Sequence, residues 1–110
     1  MKKNKKHEEL TFKKFHELNV YRSTKDVKHS TDWSEMEWGC ALSGEVGELC
    51  NYLKKSRRGD KIPKKWMAHE VADIITYLSL LCNALDIDME SAIVEKFNIV
   101  SKRWKSKIRL

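Results

Sequence analysis

Apolar residues between Trp33 and Leu110 recur at steps of three and four positions, which is the pattern of amphipathic helices that pack against one another. This stretch contains a single proline, and no alternation of apolar and polar residues indicates a strand. Apolar residues also recur at helical spacing in the N-terminal part of the chain, which is otherwise polar. The pattern predicts four helices with short connections, and we therefore expect an all-α protein built as an antiparallel four-helix bundle.

Capping and helix-breaking residues set the ends of the predicted helices. Asp32, followed three residues later by Glu35, resembles a capping box and opens the second helix, which ends near Gly59 after a basic run. Pro63 suits a first helical turn, and Asp88 is a favourable N-cap. The predicted helices are about His7–Tyr21, Asp32–Ser56, Pro63–Leu85 and a fourth that follows Asp88, with residues 22–31 as a polar loop.

The apolar positions of each helix predict its buried face. Three glycines within the second helix each cost about 1 kcal/mol relative to alanine, so we expect them to allow close approach of a neighbour, with a helix favoured over a ligand. The glycines are Gly39, Gly44 and Gly47. The expected inner faces include Leu10, Phe15 and Leu18 in the first helix; Trp38, Leu42 and Leu49 in the second; Met67, Val71, Ile74 and Leu78 in the third; and Met89, Ile93, Phe97, Val100 and Trp104 in the fourth.

The chain length of 110 residues leaves room for one core, so we expect a single domain over residues 1–110 with basic, flexible ends at about 1–6 and 105–110. The excess of 22 Lys and Arg over 16 Asp and Glu predicts attraction to an anion. No apolar run is long enough to span a membrane, and we expect a cytoplasmic protein. Cys40, Cys50 and Cys82 lie in apolar stretches and are expected to be buried, reduced thiols. His16 is expected at the surface.

Four acidic residues occur as two pairs with helical spacing. Glu45 and Glu48 lie three residues apart in the second helix, and Glu70 and Asp73 have the same spacing in the third. None is expected on the outer face. Two interpretations stay open from spacing alone: a solvated acidic face, which is the commoner case, or a site for a hard divalent cation such as Mg²⁺, which takes oxygen ligands.

The residues around these acids resemble a known family. The strings Gly44-Glu-Val-Gly-Glu-Leu49 and His69-Glu-Val-Ala-Asp73 look like the E-x-x-E and E-x-x-D signature of the MazG-like, all-α nucleoside triphosphate pyrophosphohydrolases. The resemblance covers about Trp33 to Arg103. It implies hydrolysis of a nucleoside triphosphate to the monophosphate and pyrophosphate with Mg²⁺, for which Mn²⁺ is a possible substitute. It also implies a homodimer or a homotetramer.

The resemblance also implies roles for individual residues. Glu45, Glu48, Glu70 and Asp73 would be the Mg²⁺ ligands, and Glu45 or Glu48 could orient the attacking water. Lys96, Asn98 and Arg103 match residues of the family's fourth helix and are candidate substrate contacts, together with Tyr77, Trp33 and Lys54. Trp38 is expected in the core. Pyrimidine-selective members of the family tend to carry an aromatic residue shortly after E-x-x-E, and here that stretch is Tyr52-Leu-Lys-Lys55, which departs from the pattern, so base preference stays open.

Two readings without catalysis compete with this hypothesis. In the first, the basic ends and Trp104 contact a nucleic-acid backbone, which predicts steeply salt-dependent affinity. In the second, the chain is an interaction protein that has lost activity, although the four retained acids argue against it. The leading expectation is a small enzyme that removes unwanted nucleoside triphosphates.

Overall fold

A computed structural model describes residues 9–26 and 32–110 of the chain and contains four α-helices and no strand within these ranges. The prediction of an all-α fold is confirmed, and the helix contacts are consistent with an antiparallel bundle. The helices are α1 (Phe12–Asp26), α2 (Glu35–Arg57), α3 (Lys64–Ala84) and α4 (Met89–Arg103). Among the described residues, no helix is long and apolar enough to cross a membrane.

α1 begins and ends later than predicted. Its first turn is capped by Thr11, whose hydroxyl accepts a hydrogen bond from the backbone N–H of Lys14 at 3.1 Å. The helix continues through residues 22–26, which were predicted as loop. The remaining predicted loop residues, 27–31, and the predicted start at His7 lie outside the described ranges.

The N-terminus of α2 is a capping box formed by Ser34 and Glu37, not by Asp32 and Glu35. The Ser34 hydroxyl accepts from the Glu37 N–H, and the Glu37 carboxylate accepts from the Ser34 N–H. The prediction was therefore displaced by two residues, because two overlapping pairs have the required spacing. The predicted stop is confirmed: Gly59 adopts φ 105°, a conformation that glycine tolerates best.

α2 and α3 make the most extensive helix contact of the fold. Trp38 is buried as predicted, and the rings of Tyr52 and Trp66 lie 5.8 Å apart. Among the described residues, the other buried apolar side chains are Leu80, Cys82 and Met89. Val71, predicted on the inner face of α3, is 52% exposed, so part of this face is uncovered within one chain.

α1 packs on α3 through polar groups. The Asn19 amide donates to the backbone carbonyl of Thr76 at 2.9 Å, and His16 Nδ1 forms a 2.7 Å hydrogen bond with the fully buried Ser79 hydroxyl. Of the predicted inner face, Leu10 and Leu18 are more than half exposed, whereas Phe15 is partly buried. The prediction was therefore wrong for the two leucines, and His16, expected at the surface, is also partly buried, because the groups of α3 that α1 covers here include a hydroxyl and a carbonyl.

α4 is the least attached helix. Asp88 caps it as predicted, accepting from the Ser91 N–H at 3.0 Å, and its main helix contact, with α1, is small. Its apolar side chains were predicted to be core, yet Phe97 and Trp104 are exposed and line an open groove of about 760 Å³ between α3 and α4. Residues 105–110 fold back along the helix, and the Asn98 amide binds both backbone groups of Leu110.

Two expectations about small side chains were also wrong. A Cβ added at Gly39, Gly44 or Gly47 would meet no atom within 4 Å in the described structure, so these glycines allow no close helix approach inside one chain. The cysteines are free, but Cys40 and Cys50 are exposed and only Cys82 is buried. Burial raises the pKa of the Cys82 thiol.

Candidate metal centre

Three carboxylates meet where α2 packs on α3. Glu45 of α2 and Glu70 and Asp73 of α3 each offer one oxygen, and these oxygens lie within 4.8 Å of one another. The helical spacing of Glu70 and Asp73 turns both side chains toward α2. Three acids from two elements thus form one cluster of carboxylate oxygens, which are the ligand type that a hard divalent cation takes.

Glu70 is the most buried member of the cluster. Its side chain is only 9% exposed, and its Oε2 atom is buried without a hydrogen-bond partner in the described structure. An unpaired buried carboxylate oxygen is strongly unfavourable, so native proteins generally provide such a group with a proton, a cation or a donor. The cluster therefore fits a divalent cation better than it fits a solvated acidic face.

The protonation of Glu45 reflects the crowding of negative charge. A hydrogen bond with the Glu70 side chain, burial, and the charges of Glu48, Glu70 and Asp73 together raise the pKa of Glu45 from 4.5 to about 7. Near neutral pH and without metal, a proton on Glu45 relieves part of the repulsion. A divalent cation would displace that proton because it stabilises the charged form of both acids.

Glu48, the fourth predicted ligand, does not belong to the three-carboxylate cluster. It lies one turn along α2 from Glu45, and its side chain is exposed. Asp73 is also exposed to solvent, although it belongs to the cluster between α2 and α3. Glu48 is still close enough for its charge to raise the pKa of Glu45.

A pocket of about 280 Å³ adjoins the carboxylates. The Trp38 ring centroid lies 4.6 Å from that of Trp33 and 6.2 Å from that of Tyr77, which gives the pocket an aromatic wall. Trp33 and Tyr77 were predicted to contact substrate, and they do line this pocket. The full lining is Asn19, Arg22, Ser23, Trp33, Trp38, Glu45, Asp73, Thr76, Tyr77 and Leu80.

The residues from α1 were missed in the sequence. Asn19, Arg22 and Ser23 share one face at helical spacing, and Asn19 and Ser23 are buried. The available signal was this polar spacing, which resembles that of an ordinary exposed face. The hydrogen bonds from Asn19 to Thr76 and between His16 and Ser79 identify it as the face that packs on α3.

The other predicted substrate contacts lie away from this pocket. Lys96 borders the apolar groove of α4, and Asn98 is engaged with Leu110. Arg103 and Lys54 are exposed, and neither lines the pocket beside the carboxylates. Within one chain, the cations of α4 are therefore not brought together with the acidic cluster.

A scan against protein-family models gives no match for this chain, and a search of curated proteins gives none. The site itself therefore carries the functional argument. Three convergent carboxylates, one with a buried unpartnered oxygen, are suited to a hard cation, and the neighbouring aromatic pocket is suited to a flat, partly polar ligand.

Proposed function

We propose that this protein is a Mg²⁺-dependent nucleoside triphosphate pyrophosphohydrolase of the MazG-like type. The observation that carries the proposal is the buried, unpartnered Oε2 of Glu70 within the Glu45, Glu70 and Asp73 cluster. An aromatic pocket directly beside that cluster supports a nucleotide over a simple phosphate ester. The reaction converts a (d)NTP and water to the (d)NMP and pyrophosphate, with removal of unwanted nucleotides as its role.

The clustered carboxylates would hold Mg²⁺, or Mn²⁺ in its place. The metal supplies charge neutralisation on the phosphates when it is bound. Glu48, exposed and one turn from Glu45, is suited to accept a proton from the attacking water. As the water oxygen bonds to phosphorus, the bond between the α- and β-phosphates breaks and pyrophosphate leaves. No covalent nucleophile is needed.

The aromatic pocket would receive the nucleoside. Trp33 and Tyr77 provide ring surfaces against which a base can stack, and Trp38 supports them from the core. Asn19, held by its bond to the Thr76 carbonyl, presents a fixed amide for a polar edge of base or sugar. Base and sugar preference follow from how this pocket is filled.

We also propose that the working form is a homodimer, or a tetramer of such dimers. Ile93, Phe97, Trp104 and Ile108 line an open apolar groove on α4, and contiguous exposed apolar surface of this kind marks protein interfaces. A second copy seated on α4 would cover these side chains. Association is also the route by which Lys96 and Arg103 of one chain could approach the carboxylates of another.

The reaction is tested by incubating purified protein with each common NTP and dNTP, with Mg²⁺ or with EDTA, and separating the products by ion-exchange chromatography. We expect monophosphate and pyrophosphate with Mg²⁺ only. Glu70→Gln should abolish turnover, whereas Glu95→Gln, which removes an exposed α4 carboxylate outside the site, should leave it unchanged.

Two outcomes would contradict the proposal. Diphosphate and phosphate as products would indicate a different phosphohydrolase. Absence of turnover, together with salt-sensitive binding of an oligonucleotide that Glu70→Gln leaves intact, would favour the nucleic-acid-binding alternative, in which the exposed Trp104 and the basic residues 102–109 form the contact surface.

A further inference from the structure

Arg22 is the only Lys or Arg among the described residues that lines the pocket beside the carboxylates. It is exposed on α1, and within the described part of the chain it forms no ion pair, although Glu45 and Asp73 line the same pocket. Its guanidinium is thus available to a ligand.

The charges at the site require a cation. A nucleoside triphosphate carries about four negative charges at neutral pH and retains about two after binding one Mg²⁺, and the carboxylates around it add more. The other predicted cations, Lys54, Lys96 and Arg103, do not line this pocket. A guanidinium is suited to phosphate because its planar N–H groups can bind two oxygens at once.

The position of Arg22 is fixed by the packing of α1 on α3. Asn19, one turn before Arg22, donates to the Thr76 carbonyl, and His16 binds the buried Ser79 hydroxyl one turn earlier still. These two contacts fix the position of α1 along α3, opposite the helix face that carries Asp73. α1 therefore brings its guanidinium to a defined place relative to the carboxylates.

We infer that Arg22 is a substrate-binding residue whose guanidinium contacts the phosphates of the nucleoside triphosphate. This inference rests on the proposed function and adds to it a phosphate contact supplied by α1. The E-x-x-E and E-x-x-D motifs do not include Arg22, which lies outside the Trp33–Arg103 span of the resemblance.

The test compares Arg22→Gln and Arg22→Lys with wild type, with Lys25→Gln as the matched control. Lys25 is on the same helix, carries the same charge, faces the Tyr21 ring and does not line the pocket. With Mg²⁺ and the best dNTP, Arg22→Gln should raise KM by about tenfold to a hundredfold, as expected for loss of a charge-assisted contact. The KM of Arg22→Lys should lie between those of wild type and Arg22→Gln, and the KM of Lys25→Gln should match that of wild type.

A measurement of ligand binding tests this inference separately from the proposed reaction. Tryptophan fluorescence titrations use the α,β-imido analogues of the four dNTPs and the corresponding nucleosides. Arg22→Gln should weaken binding of the analogues and leave nucleoside binding unchanged, with an unchanged melting temperature as the check on folding. If wild type binds the analogues in an Arg22-dependent way but hydrolyses no dNTP, the reaction is wrong and the phosphate contact stands.

Three results would overturn the assignment of Arg22. The first is hydrolysis by Arg22→Gln with wild-type KM and kcat. The second is an equal loss of nucleoside and analogue binding, which would place the guanidinium against the nucleoside. The third is absence of both hydrolysis and analogue binding in wild type, which would remove the reaction and the contact together.

Discussion

Glu45 and Glu70 face one another across the contact between α2 and α3, and a hydrogen bond between their carboxyl groups is the largest cause of the raised pKa of Glu45, about 7. Such a bond requires a proton that two ionised carboxylates lack. Glu45 is therefore protonated in part near neutral pH in the metal-free protein, and a bound cation would replace that proton.

The stability of the metal-free protein should depend on pH through this pair. Because Glu45 has a higher pKa in the folded chain than in the unfolded chain, the folded state binds more protons between about pH 4.5 and pH 7. The free energy of unfolding should therefore fall as pH rises through this window. Circular dichroism melts in EDTA would measure it, and Glu45→Gln should flatten this part of the profile. An equal slope in wild type and variant would contradict the assigned pKa.

Magnesium should raise the melting temperature, and Glu70→Gln should remove that response. A cation that binds only the folded state stabilises it by about 2.7 kcal/mol at a hundredfold excess over its Kd. Glu70→Gln deletes a ligand and also relieves the buried, unpartnered oxygen, so the variant should melt in EDTA at or above the wild-type temperature. Glu95→Gln is the control. A Mg²⁺ response that persists in Glu70→Gln would place the cation elsewhere.

The polar contact between α1 and α3 should contribute measurably to stability. Asn19→Ala removes the hydrogen bond to the Thr76 carbonyl and leaves that carbonyl without its side-chain donor, which should cost about 1 to 3 kcal/mol. Urea unfolding followed by circular dichroism would give the value. Asn51→Ala, at an exposed position of α2, is the control and should change it by less than about 0.5 kcal/mol. If both variants changed the free energy of unfolding equally, the hydrogen bond of Asn19 would not be what stabilises the packing of α1 on α3.

The apolar groove of α4 should mediate association of two chains. Phe97→Glu places a charge among exposed apolar side chains that line the groove, so it should shift a dimer toward monomer while keeping the helical content. Light scattering coupled to size-exclusion chromatography would show the mass. Lys102→Glu, exposed on the same helix, should leave the mass unchanged. A wild-type protein that is monomeric at all concentrations would refute the interface.

The presence and number of α-helices could be predicted from periodicity, because apolar residues recur every three to four positions wherever one face of a helix is covered. Helix ends depended on caps with competing local solutions: Ser34 with Glu37 forms the capping box although Asp32 with Glu35 has the same spacing. The start of α1 depended on a single threonine hydroxyl. Such ends are decided by one or two side-chain hydrogen bonds each.

The site was predictable where its residues carry charge in a repeated spacing. Glu45, Glu70 and Asp73 were found from that spacing, but separation along one helix could not distinguish Glu45 from the exposed Glu48, since that depends on how α2 is rotated against α3. Asn19 and Arg22 were missed because polar residues on a helix normally face water. The periodicity of α4 does not show whether a neighbouring helix covers its apolar face, so it predicts Phe97 as core although this side chain is exposed.

The hydrogen bond from Asn19 to Thr76 has a consequence for how the molecule can change over evolutionary time. The clustered carboxylates belong to α2 and α3, whereas Asn19 and Arg22 reach the same pocket from α1. Substitutions on α1 can therefore reshape one wall of the pocket while the carboxylates keep their framework. The carboxylates and this wall of the pocket are therefore encoded by separate segments of the gene, so the two can vary independently.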